Sequence, residues 1–264
     1  MEREIDLPSR DAVDFLAQIK LPALAPVVSS DPVAIVGMSC LFAGSPDLEA
    51  YWQNILAGTD MVTEVPAERW SVEQYFQGDE ARKDKSISKW GAFIADTPFD
   101  PLAYGIPPAS LAAIEPVQLL SLSIAQQALN DAGYASRWFD RDKTSVIFGA
   151  EAGMDLGNQY TFRNLWQQYA GEMPPALADA LPSLTEDSFP GMLVNLISGR
   201  IANRLGLGGV NYAVTSACAS SLTAIELGAG RAGRSGAAGL AELVEAKAFL
   251  AELARRGVKA ARFG

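Results

Sequence analysis

Residues 32–38, PVAIVGM, form a continuous apolar run bounded by Pro and Gly, the pattern of a strand buried on both faces. The next stretch, SPDLEAYWQNILAG, changes period. Leu48, Tyr51, Trp52, Ile55 and Leu56 fall on one helical face, with Ser45 as N-cap, Pro46 in the first turn and Gly58 as the stop. A second helix is predicted from Pro116 to about Gly133, burying Leu119, Leu122, Ala125 and Leu129. TSVIFGA (144–150) reads as another buried strand, GMLVNLISGRIANRLGL (191–207) as a helix, and VNYAV (210–214) as a strand. Strand and helix alternating in this way predict an α/β fold with helices covering a mostly parallel sheet.

Three stretches stand apart from this alternation. Residues 1–31 read as an appendage, with Val13, Phe15, Leu16 and Ile19 at helical spacing before a Pro-rich linker, LPALAPVVSSDP. A docking helix and a plain N-terminal extension both fit it. Residues 152–190 read as a partly helical insertion whose aromatic stripe, Tyr160, Phe162, Trp166 and Tyr169, suits core or subunit interface better than a cofactor box. Residues 229–264 are dominated by Ala, Gly and Arg. Two readings of this tail stand side by side. One is a GC-rich reading frame entered by accident. The other is an amphipathic helix over 237–256 that gathers Leu240, Leu243, Val244, Leu250 and Leu253, ends on Arg255 and Arg256, and is capped by Gly257.

Composition narrows the possibilities. With 264 residues, 49% of them hydrophobic, the chain can bury one large core or two small ones. A net charge of -10 and a pI near 4.6 argue against a nucleic-acid partner. No stretch has the apolar length of a membrane span, and the charged start, MEREIDLPSR, lacks a signal core, so a cytoplasmic protein is expected. Cys40 and Cys218 are too few for a disulfide framework or a thiolate metal site. The count of zero histidines removes the commonest general base and every Ser-His or Cys-His pair from this chain.

Two motifs could carry chemistry. GAGRAG (228–233) matches the Gly-x-Gly-x-x-Gly dinucleotide pattern, but it follows SSLTAIEL, which reads as helix, whereas that fingerprint should leave a strand. The second is VNYAVTSACASSLTAIEL (210–227), which reads as strand, small-residue turn, and a helix starting at Cys218. A thiol at a helix N-terminus lies beside unpaired amides and the positive end of the macrodipole, which favour the thiolate. The same amides can stabilise a tetrahedral oxyanion. On spacing alone, a nucleophile and a small buried structural cysteine both remain open.

The segment TSACASSL resembles the active-site motif of the β-ketoacyl synthases, the condensing enzymes of fatty-acid and polyketide assembly. PVAIVGMSCLFAG resembles the opening strand and turn of that family. YWQNILAGTDMVTEVPAERW resembles the stretch that ends in its Arg-Trp pair, here Arg69 and Trp70. KWGAFIADTPFDPLAYGIPP and LISGRIANRLGLGG resemble later segments in the expected order. IPPASLAAIEPVQLLSL and DSFPGMLVNLISGRIAN look closest to ketosynthases of polyunsaturated-fatty-acid and related iterative polyketide synthases. The likeness runs from about residue 32 to about 228.

The resemblance implies the N-terminal half of a thiolase-like fold, of a kind usually dimeric. It implies ping-pong chemistry on substrates presented by the phosphopantetheine of an acyl-carrier protein, with no bound cofactor or metal. Cys218 would be the nucleophile, its own amide contributing to the oxyanion hole. Thr215, Ser216 and Ala217 would shape the turn, Ser220 and Ser221 would line the helix start, and with Ala219 they would form the substrate and oxyanion environment of the thiol. In the family, two catalytic histidines and a lysine lie beyond the nucleophile helix, whereas this chain contains no histidine. Glu115-Pro116-Val117-Gln118-Leu119 stands where most polyketide ketosynthases carry Asp-Pro-Gln-Gln-Arg, and Ala219 where Ser is common. The expectation is a truncated synthase, inactive alone, with apolar surface left open where a second half would pack. The alternative is a non-catalytic half-domain that serves as a scaffold or complements a separate C-terminal half.

Overall fold

The structure is a computed structural model that describes residues 33–78, 83–151, 155–235 and 239–242. The first long helix, α1 (Leu48–Ala57), ends as expected at Gly58, whose φ of 62° lets its N–H reach back to the carbonyls of Asn54 and Ile55. Its N-cap is Asp47, whose carboxylate accepts from the Ala50 amide, and not Ser45. Ser45 is buried and its hydroxyl accepts from the Asn54 side chain at 2.9 Å.

A short antiparallel pair follows, β1 (Thr63–Glu64) with β2 (Trp90–Gly91), and the one-turn helix α2 (Val72–Tyr75) lies between them in the chain. Next comes α3 (Pro116–Asp131), which starts on proline as the sequence predicts. Its expected buried face is confirmed for Leu122, Ala125 and Leu129, while Leu119 is half-buried against the core.

The central strand is β3 (Ser145–Gly149), buried along its length except at Gly149. It is followed by α4 (Asp155–Ala170), α5 (Pro175–Ala180) and α6 (Ser188–Gly191), then α7 (Leu196–Leu205). The helix predicted over 191–207 is therefore α7 alone, with 192–195 a connection. Strand β4 (Asn211–Val214) pairs with β3 in parallel, Ile147 opposite Tyr212, and leads through a turn into α8 (Ser220–Ser235). On the other side of β3 lies β5 (Gly239–Glu242), also parallel, in the order β4-β3-β5.

The main core lies between this sheet and the helices α3 and α7. Val146 and Phe148 of β3 join Leu122, Ala125, Leu129, Ile197, Ile201 and Leu205 in one buried cluster. Side chains alternate along a strand, so Ile147 turns to the opposite face, the one α8 covers. The α/β character and the parallel sheet match the sequence reading, with few strands among the described residues.

Two sequence expectations are corrected. The strand expected at PVAIVGM does not form over its described residues, 33–38: the segment runs beside α3, where the Met38 amide donates to Asp131 (2.8 Å) and the neighbouring Ser39 hydroxyl to Gln127 (2.9 Å). A strand exists only through pairing, and no described strand lies beside it. Val33, Ile35 and Val36 are consequently exposed. The helix expected over 237–256 is replaced at Gly239–Glu242 by β5, and the rest of that span lies outside the described residues, as do 1–31.

The aromatic stripe of the insertion divides. Tyr160 is buried, Phe162 meets Trp166 edge-on, and Tyr169 is 78% exposed. GAGRAG lies inside α8, so no strand-to-helix turn holds it, in keeping with the sequence reading. Among the described residues no helix is long and apolar enough to cross a membrane.

Candidate functional site

Thr215 to Ala219 form the tight turn that links β4 to α8, and all five are exposed. Cys218 is among them, whereas Cys40 is buried. The position of Cys218 differs slightly from expectation: α8 begins at Ser220, two residues later. The cause is the turn itself. Ala217 takes φ = 49°, the left-handed region that a non-glycine residue enters only when its surroundings hold it there.

Ser220 supplies that hold. Its hydroxyl accepts from the Ser216 amide at 2.9 Å and donates to the Ala217 carbonyl at 2.7 Å, spanning Ser216 and the strained residue. The backbone adds bonds from the Ala219 amide to Ser216 O and from the Ser220 amide to Ala217 O. One turn further on, Thr223 donates to the Ala219 carbonyl and shares a hydrogen bond with the Ser216 hydroxyl. Ser220 and Ser221 are each only 6% exposed.

The turn engages some of its own amides and not others. Those of Ala219 and Ser220 are engaged within the turn, while among the described residues the Cys218 amide has no acceptor.

Gly149 is the residue that sequence reading passed over. A Cβ at this position would lie 2.6 Å from Ser220 O, 2.7 Å from Ser220 C and 2.8 Å from Ser221 N. Only glycine lets the start of α8 settle onto the end of β3. The available signal was a glycine closing an apolar strand, which marks close approach of another backbone. Beneath the same core, Gln118 is fully buried. Its amide group donates to the carbonyls of Gly191, Leu193 and Pro190, and its oxygen accepts from Arg200. Burial, and Arg204 after it, lower the Arg200 guanidinium from its ordinary value, with Asp187 opposing.

Two hollows lie apart from the turn. One, about 460 Å³, is lined by residues 134–142, and the other, about 480 Å³, by Arg69, Glu115 and Gln159 among others. Neither is lined by residues 215–221. Among the described residues no group of three or more His, Cys, Asp or Glu side chains is placed to hold a metal ion.

The second cysteine provides an internal control. Cys40 is buried, and burial first, then Asp47, pushes its thiol from 9.0 to about 11. Because the folded value lies above the unfolded one, this stabilising contribution is present below about 9 and lost as pH rises toward 11. Iodoacetamide at pH 8 should therefore label Cys218 and leave Cys40 unmodified until the chain is unfolded. Peptide mapping by mass spectrometry checks this, and equal labelling of both would contradict the burial described.

Fold and turn together define a mixed α/β unit that presents a thiol at a strand–turn–helix junction. The chain belongs to the β-ketoacyl synthase family: the model of the "Beta-ketoacyl synthase, N-terminal domain" matches residues 30–241. It is 36% identical over 213 residues to polyketide synthase PksN of Bacillus subtilis, covering 79% of this chain and 4% of that protein. It is 35% identical over 198 residues to a mycocerosic acid synthase-like polyketide synthase of Mycolicibacterium smegmatis, covering 74% and 8% respectively. Among solved structures, the oxazolomycin ketosynthase domain OzmH KS7 of Streptomyces albus superposes with a TM-score of 0.60 at 26% identity, over 86% of this chain and 38% of that one. The module 6 ketosynthase of the bacillaene synthase from Bacillus subtilis shares the fold, with a TM-score of 0.58 at 23% identity, over 86% of this chain and 34% of that one. The chain thus corresponds to part of a ketosynthase domain and to a small fraction of the curated synthases it matches.

Proposed function

We propose that this chain carries the acyl-accepting half of a ketosynthase, with Cys218 as the nucleophile. The observation that supports it is an exposed thiol on the turn between β4 and α8 of a ketosynthase-family chain. The substrate is an acyl group carried as a thioester on the phosphopantetheine of an acyl-carrier protein. The Cys218 sulfur attacks the thioester carbonyl carbon and a new carbon–sulfur bond forms. The resulting oxyanion takes a hydrogen bond from the Cys218 N–H. The bond to the carrier sulfur then breaks, and that sulfur leaves with the electron pair and the proton Cys218 gave up.

Condensation with a malonyl carrier protein is the second half-reaction implied by the family. It needs acid–base groups for decarboxylation, and no histidine in this chain supplies one. Those groups come from outside it. The chain alone should form an acyl adduct on Cys218 and release no condensation product when given acyl and malonyl carrier proteins. Condensation by the purified chain alone, followed by mass spectrometry of the carrier protein, would contradict this division of labour.

A second reading shares one expected feature with the first. Val33, Ile35 and Val36 of the extended segment, with Ile55 and Leu56 of α1, leave apolar side chains exposed. Under that reading the chain is a non-catalytic half-domain that pairs with a complementary half or with a second copy. Cys218→Ala separates the two: it removes acyl acceptance and leaves pairing intact.

A further inference from the structure

We infer that Ser220 is a positioning residue that acts through the Cys218 amide, and not a lining of the substrate site; this rests on the reading of Cys218 as acyl acceptor. Ser220 is buried, whereas the Cys218 thiol is exposed. Its hydroxyl ties the Ser216 amide to the Ala217 carbonyl, at 2.9 and 2.7 Å. Those two bonds span Ser216 and Ala217, the one residue of the turn at positive φ, and the Ala217 carbonyl that Ser220 holds belongs to the same peptide as the Cys218 N–H. A change in Ala217 ψ rotates that peptide directly. Without the hydroxyl, Ala217 returns toward negative φ, the cheaper region for an L-residue, and the Cys218 N–H swings away from the oxyanion position. The thiol itself stays exposed.

This separates two reactions of one sulfur. Alkylation by iodoacetamide forms a carbon–sulfur bond with loss of iodide and passes through no oxyanion. Acylation by a thioester passes through a tetrahedral oxyanion that the Cys218 N–H must meet. Ser220→Ala should leave the alkylation rate of Cys218 within about 2-fold of the parent and lower the acylation rate by about 10- to 100-fold. A residue that only supports the fold would lower both together.

The test uses the full chain, with an N-acetylcysteamine acyl thioester for acylation and iodoacetamide for alkylation, each followed at the Cys218 peptide. Ser220→Thr and Ser220→Val have one shape and share any steric cost, so they isolate the hydroxyl even where Ser220→Ala does not fold. Thr should keep the acylation-to-alkylation ratio and Val should lose it. Equal ratios for Thr and Val, or a parent-like ratio in folded Ser220→Ala, overturn the inference and leave the acyl-acceptor reading standing. A parent chain that is alkylated at Cys218 but takes no acyl group overturns both.

Discussion

Gly149→Ala should cost about 1–3 kcal/mol of stability and lower acylation of Cys218 by about 100-fold. The added methyl would lie 2.6 Å from the Ser220 carbonyl oxygen and 2.8 Å from the Ser221 amide nitrogen. Both are backbone atoms at the start of α8, so relief requires the helix to shift as a body and not a side chain to turn. A shift of that kind moves Ser220, and with it the bonds that hold Ala217 and aim the Cys218 amide. Urea unfolding gives the stability change, and acyl transfer to Cys218 gives the functional one. A variant as stable and as reactive as the parent would mean that β3 and α8 do not meet at this position.

The second large effect is expected at the core. Gln118→Leu keeps comparable bulk but removes the donors to Gly191, Leu193 and Pro190 and the acceptor for Arg200 Nε. Each buried group left without a partner costs about 1–3 kcal/mol, so a loss of about 3–5 kcal/mol is expected. Against a usual domain stability of about 5–15 kcal/mol, this is enough to unfold a substantial fraction of the chain at 37 °C. The effect should be confined to stability, because Gln118 joins α3 to the α6–α7 connection and touches no residue of the turn at 215–221. A fall in the urea midpoint worth less than about 1 kcal/mol would show that the carbonyls find other donors.

Much of this fold can be read directly from local pattern. The apolar run at 144–150, the proline at the start of α3 and the glycine after α1 each encode their element within a few residues, and each element forms where expected. The segment 32–38 shows where such reading stops. Its pattern specifies burial but names no partner, and a strand is decided by the neighbour it pairs with. Ser45 shows the same limit on a smaller scale. Its side chain satisfies both the N-cap pattern and the Asn54 amide, and the structure uses it for the second.

The candidate site was legible as strand, turn and helix around Cys218, and its family resemblance came from the motif. What the sequence could not show is the internal logic of the turn. The helix starts two residues later than its pattern suggests because Ala217 occupies the left-handed region, and that is possible because a side chain three residues on holds it. Gly149 escaped for a similar reason: its requirement is set by a segment 71 positions away in the chain, Ser220, and not by its neighbours.

The most direct test of Cys218 as acyl acceptor is peptide mapping of the intact chain after incubation with an acyl thioester, before and after neutral hydroxylamine. The expected result is one acyl group on the Cys218 peptide, removed by hydroxylamine as a thioester should be and absent from Cys218→Ala. An unmodified Cys218 peptide in a chain whose Cys218 still reacts with iodoacetamide would contradict it.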